Sequence, residues 1–191
     1  MESGGGRWKA KKKTPPLPTR DNLDRAALRY LERFDSSAAN LRRVLRGHVA
    51  RAASAHAELD VPAAERLVDE LLERYQASGL INDARYAESL ARGLHARGTS
   101  RRGVRHKLRA RGVSAEAIDA AIASTGRDSD DAELDAARAF VRRRRLGPHR
   151  PEHQRAERYQ RDLAALARAG FSFDVARRAL EVPDGAIDEP S

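Results

Sequence analysis

Arg102, Arg105, His106 and Arg109 recur at helical spacing in the stretch TSRRGVRHKLRARGVSAEAIDAAI (99–122), while Val104 and Leu108 fall on the opposite side of the same turns. Guanidinium groups presented along one helix face suit phosphate, because the planar fork donates two parallel hydrogen bonds to an oxyanion. Two other stretches carry the same chemistry. Arg42, Arg43 and Arg46 lie among Leu41, Val44 and Leu45, and Arg177 and Arg178 lie between Val175 and Leu180. The arginines Arg42, Arg43, Arg46, Arg102, Arg105, Arg109, Arg177 and Arg178 are therefore the candidate contacts to a polyanion. Lys9, Lys11, Lys12 and Lys13 near the N-terminus are candidate accessory phosphate contacts. The plain alternative for each cation is a solvated outer face.

Other chemistry is missing. The chain has no G-x-x-x-x-G-K-[ST] phosphate loop and no G-x-G-x-x-G turn. None of the six histidines forms H-E-x-x-H. His149 and His153 stand four apart but straddle Pro151, which opens a helix rather than continuing one. No serine sits in a nucleophile elbow, and no isolated carboxylate pair suggests acid–base work. The expectation is a binder without catalytic residues, metal or cofactor.

The elements that must position these cations are helices. Charged residues make up 34% of the 191 positions and apolar ones 40%, with few strand-forming types, which places the chain in the all-α class with a thin core. The net charge of +9 points to nucleic acid or an acidic protein surface as partner. Cysteine is absent, excluding disulfides and thiolate-bound zinc. No apolar run approaches the roughly 18–20 residues of a membrane span, and the N-terminus lacks the apolar stretch of a signal peptide, so a cytoplasmic protein is expected.

Along the chain, residues 1–21 read as a disordered basic arm, with Gly4–Gly6, Pro15, Pro16 and Pro18 opposing regular structure. A helical pattern then runs from Asn22 to Phe34 through Leu23, Ala27, Tyr30 and Leu31. A second helix follows Ser36–Ser37. A third opens near Pro62, with Leu67, Leu71, Leu72 and Tyr75 inward. Asn82 or Asp83 is placed to cap the fourth, Ser100 or Thr99 the fifth, Ser114 the sixth and Ser172 the ninth. Asp130 and Glu133 have the spacing of a capping pair at the start of the seventh. Gly79, Gly98, Gly112 and Gly170 stop helices.

Two self-matches organise the nine helices. LRARGVSAEAIDAAI (108–122) aligns without gaps on LARAGFSFDVARRAL (166–180), matching Gly112 to Gly170 and Ser114 to Ser172. Residues 31–45 align on 94–108, matching Ser37 to Ser100 and Arg42 to Arg105. The pattern gives three three-helix modules, 22–79, 80–125 and 126–182, followed by an acidic disordered tail, 183–191. The expected fold is an elongated tandem array of helix-turn-helix-like modules.

The segments ALRYLERFDSSAANLRRVL (27–45), GLINDARYAESL (79–90), GTSRRGVRHKLRARGVSAEAIDAAI (98–122) and LARAGFSFDVARRAL (166–180) resemble the bacterial RecX family of recombination regulators. The resemblance covers residues 22–182, departing from the family pattern in a long connection from Gly47 to Asp60 and in Asn82 where aspartate is common. It implies a non-enzymatic monomer that binds the RecA recombinase and its filament on single-stranded DNA, and mostly inhibits its ATPase and strand-exchange activities. Direct contact with single-stranded and duplex DNA would fall to the arginines above. Two other readings fit the residues: a helix-turn-helix regulator reading duplex DNA, and a helical protein adaptor with no nucleic-acid role. Arg and His on the 101–110 helix, without Asn or Gln, make a poor reader of base edges.

Overall fold

The computed structural model describes residues 14–124 and 130–181, and all regular structure among them is helical. The expected lysine contacts at 9–13 and the tail 183–191 lie outside the described residues. Nine α-helices run in order: α1 Arg20–Leu31, α2 Ala38–Ala53, α3 Val61–Ala77, α4 Asp83–Ala96, α5 Arg101–Ala110, α6 Ala115–Ser124, α7 Asp130–Arg144, α8 Glu152–Arg168 and α9 Phe173–Leu180. A 3-10 turn, Gly147–His149, lies between α7 and α8. Among the described residues no helix is long and apolar enough to cross a membrane. The residues fall into two compact units. The first holds the described residues up to Asp35 and Leu41–Leu80, and the second holds Ser36–Asn40 and the described residues from Ile81 onward.

In the first unit α1 starts two residues earlier than the apolar spacing predicts, because Thr19 caps it: the Thr19 hydroxyl accepts from the Asn22 N–H. Arg20 and Asp21, expected in the disordered arm, belong to α1. Pro18 is buried, and the Pro15 carbonyl lies 2.9 Å from the His56 ring. The helix also stops earlier, at Leu31, so Phe34 is not on the inner seam. It is 52% exposed and packs against the Tyr30 ring at 5.2 Å. Leu23, Ala27, Leu41, Leu45, Val49, Val68, Leu71 and Leu72 are buried. On α3, Val68 takes the fully buried position and Leu67 is half-buried, a shift of one residue in the seam.

The second unit has two apolar cores. One gathers Tyr86, Ala87, Leu94, Val104, Leu108, Val113, Ile118 and Ile122. The other gathers Leu134, Ala137, Phe140, Val141, Leu166, Phe171, Val175 and Leu180. Its backbone is organised by a joint that occurs twice. The Ser37 hydroxyl accepts from the Asn40 N–H at 3.2 Å and donates to the Arg111 carbonyl at 2.5 Å. The Ser100 hydroxyl accepts from the Gly103 N–H at 3.1 Å and donates to the Ala169 carbonyl at 2.6 Å. Each accepting carbonyl directly precedes a left-handed glycine, Gly112 (φ 73°) or Gly170 (φ 94°). A Cβ on Gly112 would collide with the Ala39 Cβ, and one on Gly170 would meet the Ser100 hydroxyl at 2.8 Å.

A carboxylate completes each joint. Asp83 Oδ1 accepts from the Ala38 N–H at 2.8 Å, and both Glu133 oxygens accept from the Arg101 N–H at 3.1 and 3.2 Å. Of the two residues able to cap α4, Asn82 does so by accepting from the Arg85 N–H, leaving Asp83 for the start of α2. Glu133, expected to cap its own helix, serves α5 instead. The two self-matches in the sequence are the two halves of this joint.

The turn between α7 and α8 rests on Asp162, only 2% exposed. Its carboxylate takes two hydrogen bonds from the Arg150 guanidinium, both at 2.7 Å, and one from the Gly147 N–H at 2.9 Å. Burial alone raises a carboxyl's pKa. Here the Arg150 and Gly147 donors and the charges of Arg150 and Arg158 outweigh it, and the group is held below its usual value. Its stabilising effect is therefore complete above the ordinary aspartate range and disappears as pH falls through the lowered pKa. Asp162→Asn should destabilise the fold by about 2–3 kcal/mol, less than for a fully enclosed pair because Arg150 is a quarter exposed. In denaturant titrations between pH 7 and pH 3, the gap between wild type and variant should narrow below about pH 4; a gap independent of pH would contradict this role.

Candidate nucleic-acid interface

The eight candidate arginines divide by what the fold places beside them. In the first unit Arg42 Nε lies 2.8 Å from Asp69 and Arg46 Nε 3.8 Å from Glu65, both carboxylates presented by α3. Arg43 is exposed on the same helix. In the second unit Arg105 meets Asp119 of α6 at 2.9 Å. Arg177 is bracketed by Asp174 at 3.5 Å and Glu181 at 3.1 Å, and Arg178 reaches Asp174 at 3.9 Å. These exposed pairs each contribute at most about 1 kcal/mol in water. They leave the guanidinium able to exchange a carboxylate for a phosphate, but they neutralise its field at rest.

Arg102 and Arg109 are different. Both are exposed and make no ion pair among the described residues. With His106 they form one stripe along α5, at positions i, i+4 and i+7. The polar face of α5 is exposed because Val104 and Leu108, 2% and 0% exposed, turn the other face into the core. Ser100 caps the helix, so Arg102 sits in its first turn and Arg109 in its last.

Sequence spacing missed a fourth cation. Arg168, at the end of α8, is exposed and unpaired among the described residues. It lines an open notch of about 390 Å³ with Arg102, Gly103, His106, Ala169 and Gly170. The Ser100–Ala169 hydrogen bond sets this approach. Gly170 permits it, since a Cβ there would meet the Ser100 hydroxyl at 2.8 Å and the Arg102 Cβ at 3.3 Å. Nothing short-range in the sequence ties Arg168 to Arg102, although Gly170 falling opposite Gly112 in the self-match marks the turn that brings it there.

Arg101 marks the boundary between structural and free cations. Its side chain is 26% exposed and reaches the buried Glu133 at 3.5 Å and Asp130 at 3.3 Å. Arg102 and Arg109 have no such task. An anionic chain lying along α5 would thus meet Arg102, His106, Arg109 and Arg168 without displacing a carboxylate. With three arginine contacts the log–log salt slope would carry about −2.1 from these residues on a single strand.

Comparison with known proteins places this geometry. Residues 82–122, the segment holding α4, α5 and α6, match the family model described as "RecX, second three-helix domain". A regulatory protein RecX from Myxococcus xanthus is 39% identical over 184 residues, covering 94% of this chain and 97% of the relative. One from Trichlorobacter lovleyi is 35% identical over 158 residues, covering 82% and 92%. The crystal structure of RecX from Lactobacillus salivarius superposes with a TM-score of 0.59 at 18% identity, covering 84% of this chain and 94% of that one, a likeness of fold.

The double variant Arg102→Ala/Arg109→Ala should keep wild-type stability to within about 0.5 kcal/mol, while Arg101→Ala should lose about 1–2 kcal/mol by removing the guanidinium beside the buried Glu133 carboxylate, which keeps only its bond to the residue 101 N–H. Urea unfolding of the three proteins checks this; equal losses would show that the stripe has a structural task.

Proposed function

This chain belongs to the RecX family of regulatory proteins, and from that premise we propose that it modulates the RecA recombinase by binding its filament on single-stranded DNA. It acts without a catalytic step of its own, restraining ATP hydrolysis and strand exchange by occupying the filament. Family membership over nearly the whole chain carries this proposal. The unpaired stripe of Arg102, His106, Arg109 and Arg168 supports it by offering an exposed cationic face to a phosphate backbone or an acidic protein surface. Arg42, Arg43, Arg46, Arg105, Arg177 and Arg178 are proposed as secondary contacts. Arg42, Arg46, Arg105, Arg177 and Arg178 must first exchange a carboxylate partner seen in the structure.

Lys9–Lys13 are proposed as accessory phosphate contacts. A duplex sequence reader fits α5 less well: its exposed face offers Arg, Lys and His but no Asn or Gln to pair with adenine edges.

In a RecA ATPase assay on single-stranded DNA, substoichiometric amounts of this protein should lower the steady-state rate. Arg102→Ala/Arg109→Ala should need a several-fold higher concentration for the same effect. An unchanged rate at every ratio would overturn the proposal.

A further inference from the structure

We propose that the turn closing α7 is a second phosphate-binding site for single-stranded nucleic acid, built from Arg142, Arg145 and His149. It rests on the nucleic-acid part of the function proposed above and lies outside the arginines assigned there. An open hollow of about 770 Å³ is lined by Arg142, Arg145, Pro148, His149, Arg150 and Pro151. Arg142, Arg145 and His149 are exposed and form no ion pair among the described residues. Arg150 is engaged by Asp162, so its role is to hold the wall. Arg155 closes the other side, donating to the Pro148 and Arg150 carbonyls at 3.0 and 3.1 Å. The turn is therefore fixed from within while its cations face outward.

The backbone at Arg145 supplies an independent observation. Helices α4, α5, α7 and α8 all end with the same bond, from the residue after the turn back to a helix carbonyl: Thr99 to Leu94, Val113 to Leu108, Leu146 to Val141 and Phe171 to Leu166. The residue before that donor is Gly98, Gly112 and Gly170 in three cases, all at positive φ. In the fourth it is Arg145, at φ 52°, the one non-glycine with positive φ among the described residues. An L side chain is strained there, and glycine is the favoured residue. Arg142–Arg144 already place cations in the last turn of α7, which answers the helix dipole. Neither folding nor the dipole calls for an arginine one residue further. A cation kept at a strained position beside an open basic hollow fits a task in binding.

The ligand chemistry is the phosphodiester oxyanion. Two exposed guanidiniums and an imidazole around one open hollow fit a chain of separated single charges.

The test measures binding of a labelled oligo-dT by fluorescence anisotropy across a salt series, with the full chain. Arg145→Gly should weaken binding about three- to tenfold and flatten the log–log salt slope by about 0.7. It should also raise the apparent Tm by about 2–4 °C by relieving the strained residue. Arg145→Lys, which keeps charge and strain, should bind within about twofold of wild type with no gain in Tm. Arg142→Ala should flatten the slope without changing Tm.

Wild-type affinity and slope in Arg145→Gly would overturn this site while leaving the proposed function standing, whereas a wild type that binds no oligo-dT would overturn this site together with the nucleic-acid part of that function. Displacement by polyglutamate at matched charge as effective as by unlabelled oligo-dT would assign the hollow to an acidic protein instead. Displacement by inorganic phosphate beyond the effect of chloride at equal ionic strength would assign it to the free ion. Either result overturns the proposal.

Discussion

A serine hydroxyl that caps one helix while donating to a carbonyl at the end of another is the contact on which the second unit depends. An N-cap hydroxyl normally satisfies only the free N–H groups of its own helix. Ser37 and Ser100 do this and also occupy a carbonyl that helix geometry leaves without an internal partner. The glycine after that carbonyl must be left-handed for the chain to turn away, and it must lack a Cβ for the approach to be possible. A carboxylate, Asp83 or Glu133, then takes one more free N–H of the capped helix. Serine, glycine and carboxylate are three small requirements far apart in sequence, and each fails without the others. The joint at Ser100 also sets where Arg168 lies beside Arg102, so fold and candidate interface share one cause.

Electrostatics sorts the chain's many arginines into those that hold structure and those that do not. Arg150 is bound by a buried aspartate, and Arg101 by a buried glutamate. Arg42, Arg46, Arg105, Arg177 and Arg178 sit against exposed carboxylates, in pairs that water and salt weaken. Arg102, Arg109 and Arg168 form no ion pair among the described residues. The net charge of +9 therefore understates the contrast between local surfaces: some arginines face a carboxylate and others do not.

Much of this was legible in the residues. Apolar spacing located the nine α-helices found among the described residues, and the caps Asn82, Ser100 and Ser172 and the stops at Gly98, Gly112 and Gly170 stand where short-range rules put them. What periodicity could not supply was the partner across a gap in sequence. Asp83 and Glu133 look like caps of their own helices until tertiary structure brings another helix start to them. Asp162 looks like an ordinary acidic residue on an amphipathic helix, yet it is buried beneath a turn that begins fifteen residues earlier. Phe34 continued an apolar pattern past the point where α1 ends. The pairing of Arg105 with Asp119 needed the α5–α6 packing, and Arg168 joined the interface only through the Gly170 turn. Resemblance to RecX supplied the family from motifs, but motifs alone did not distinguish compensated from uncompensated arginines.

The proposed function has this protein meeting a nucleoprotein filament partly through phosphate contacts made by cations without an ion-pair partner among the described residues. Co-sedimentation with RecA filaments assembled on single-stranded DNA, repeated across a salt series, tests that most directly. The protein should pellet with the filaments at low salt, and its apparent affinity should fall steeply as salt rises, by about 0.7 in log–log slope for each phosphate contact. Failure to pellet at low salt, or an affinity indifferent to salt, would contradict it.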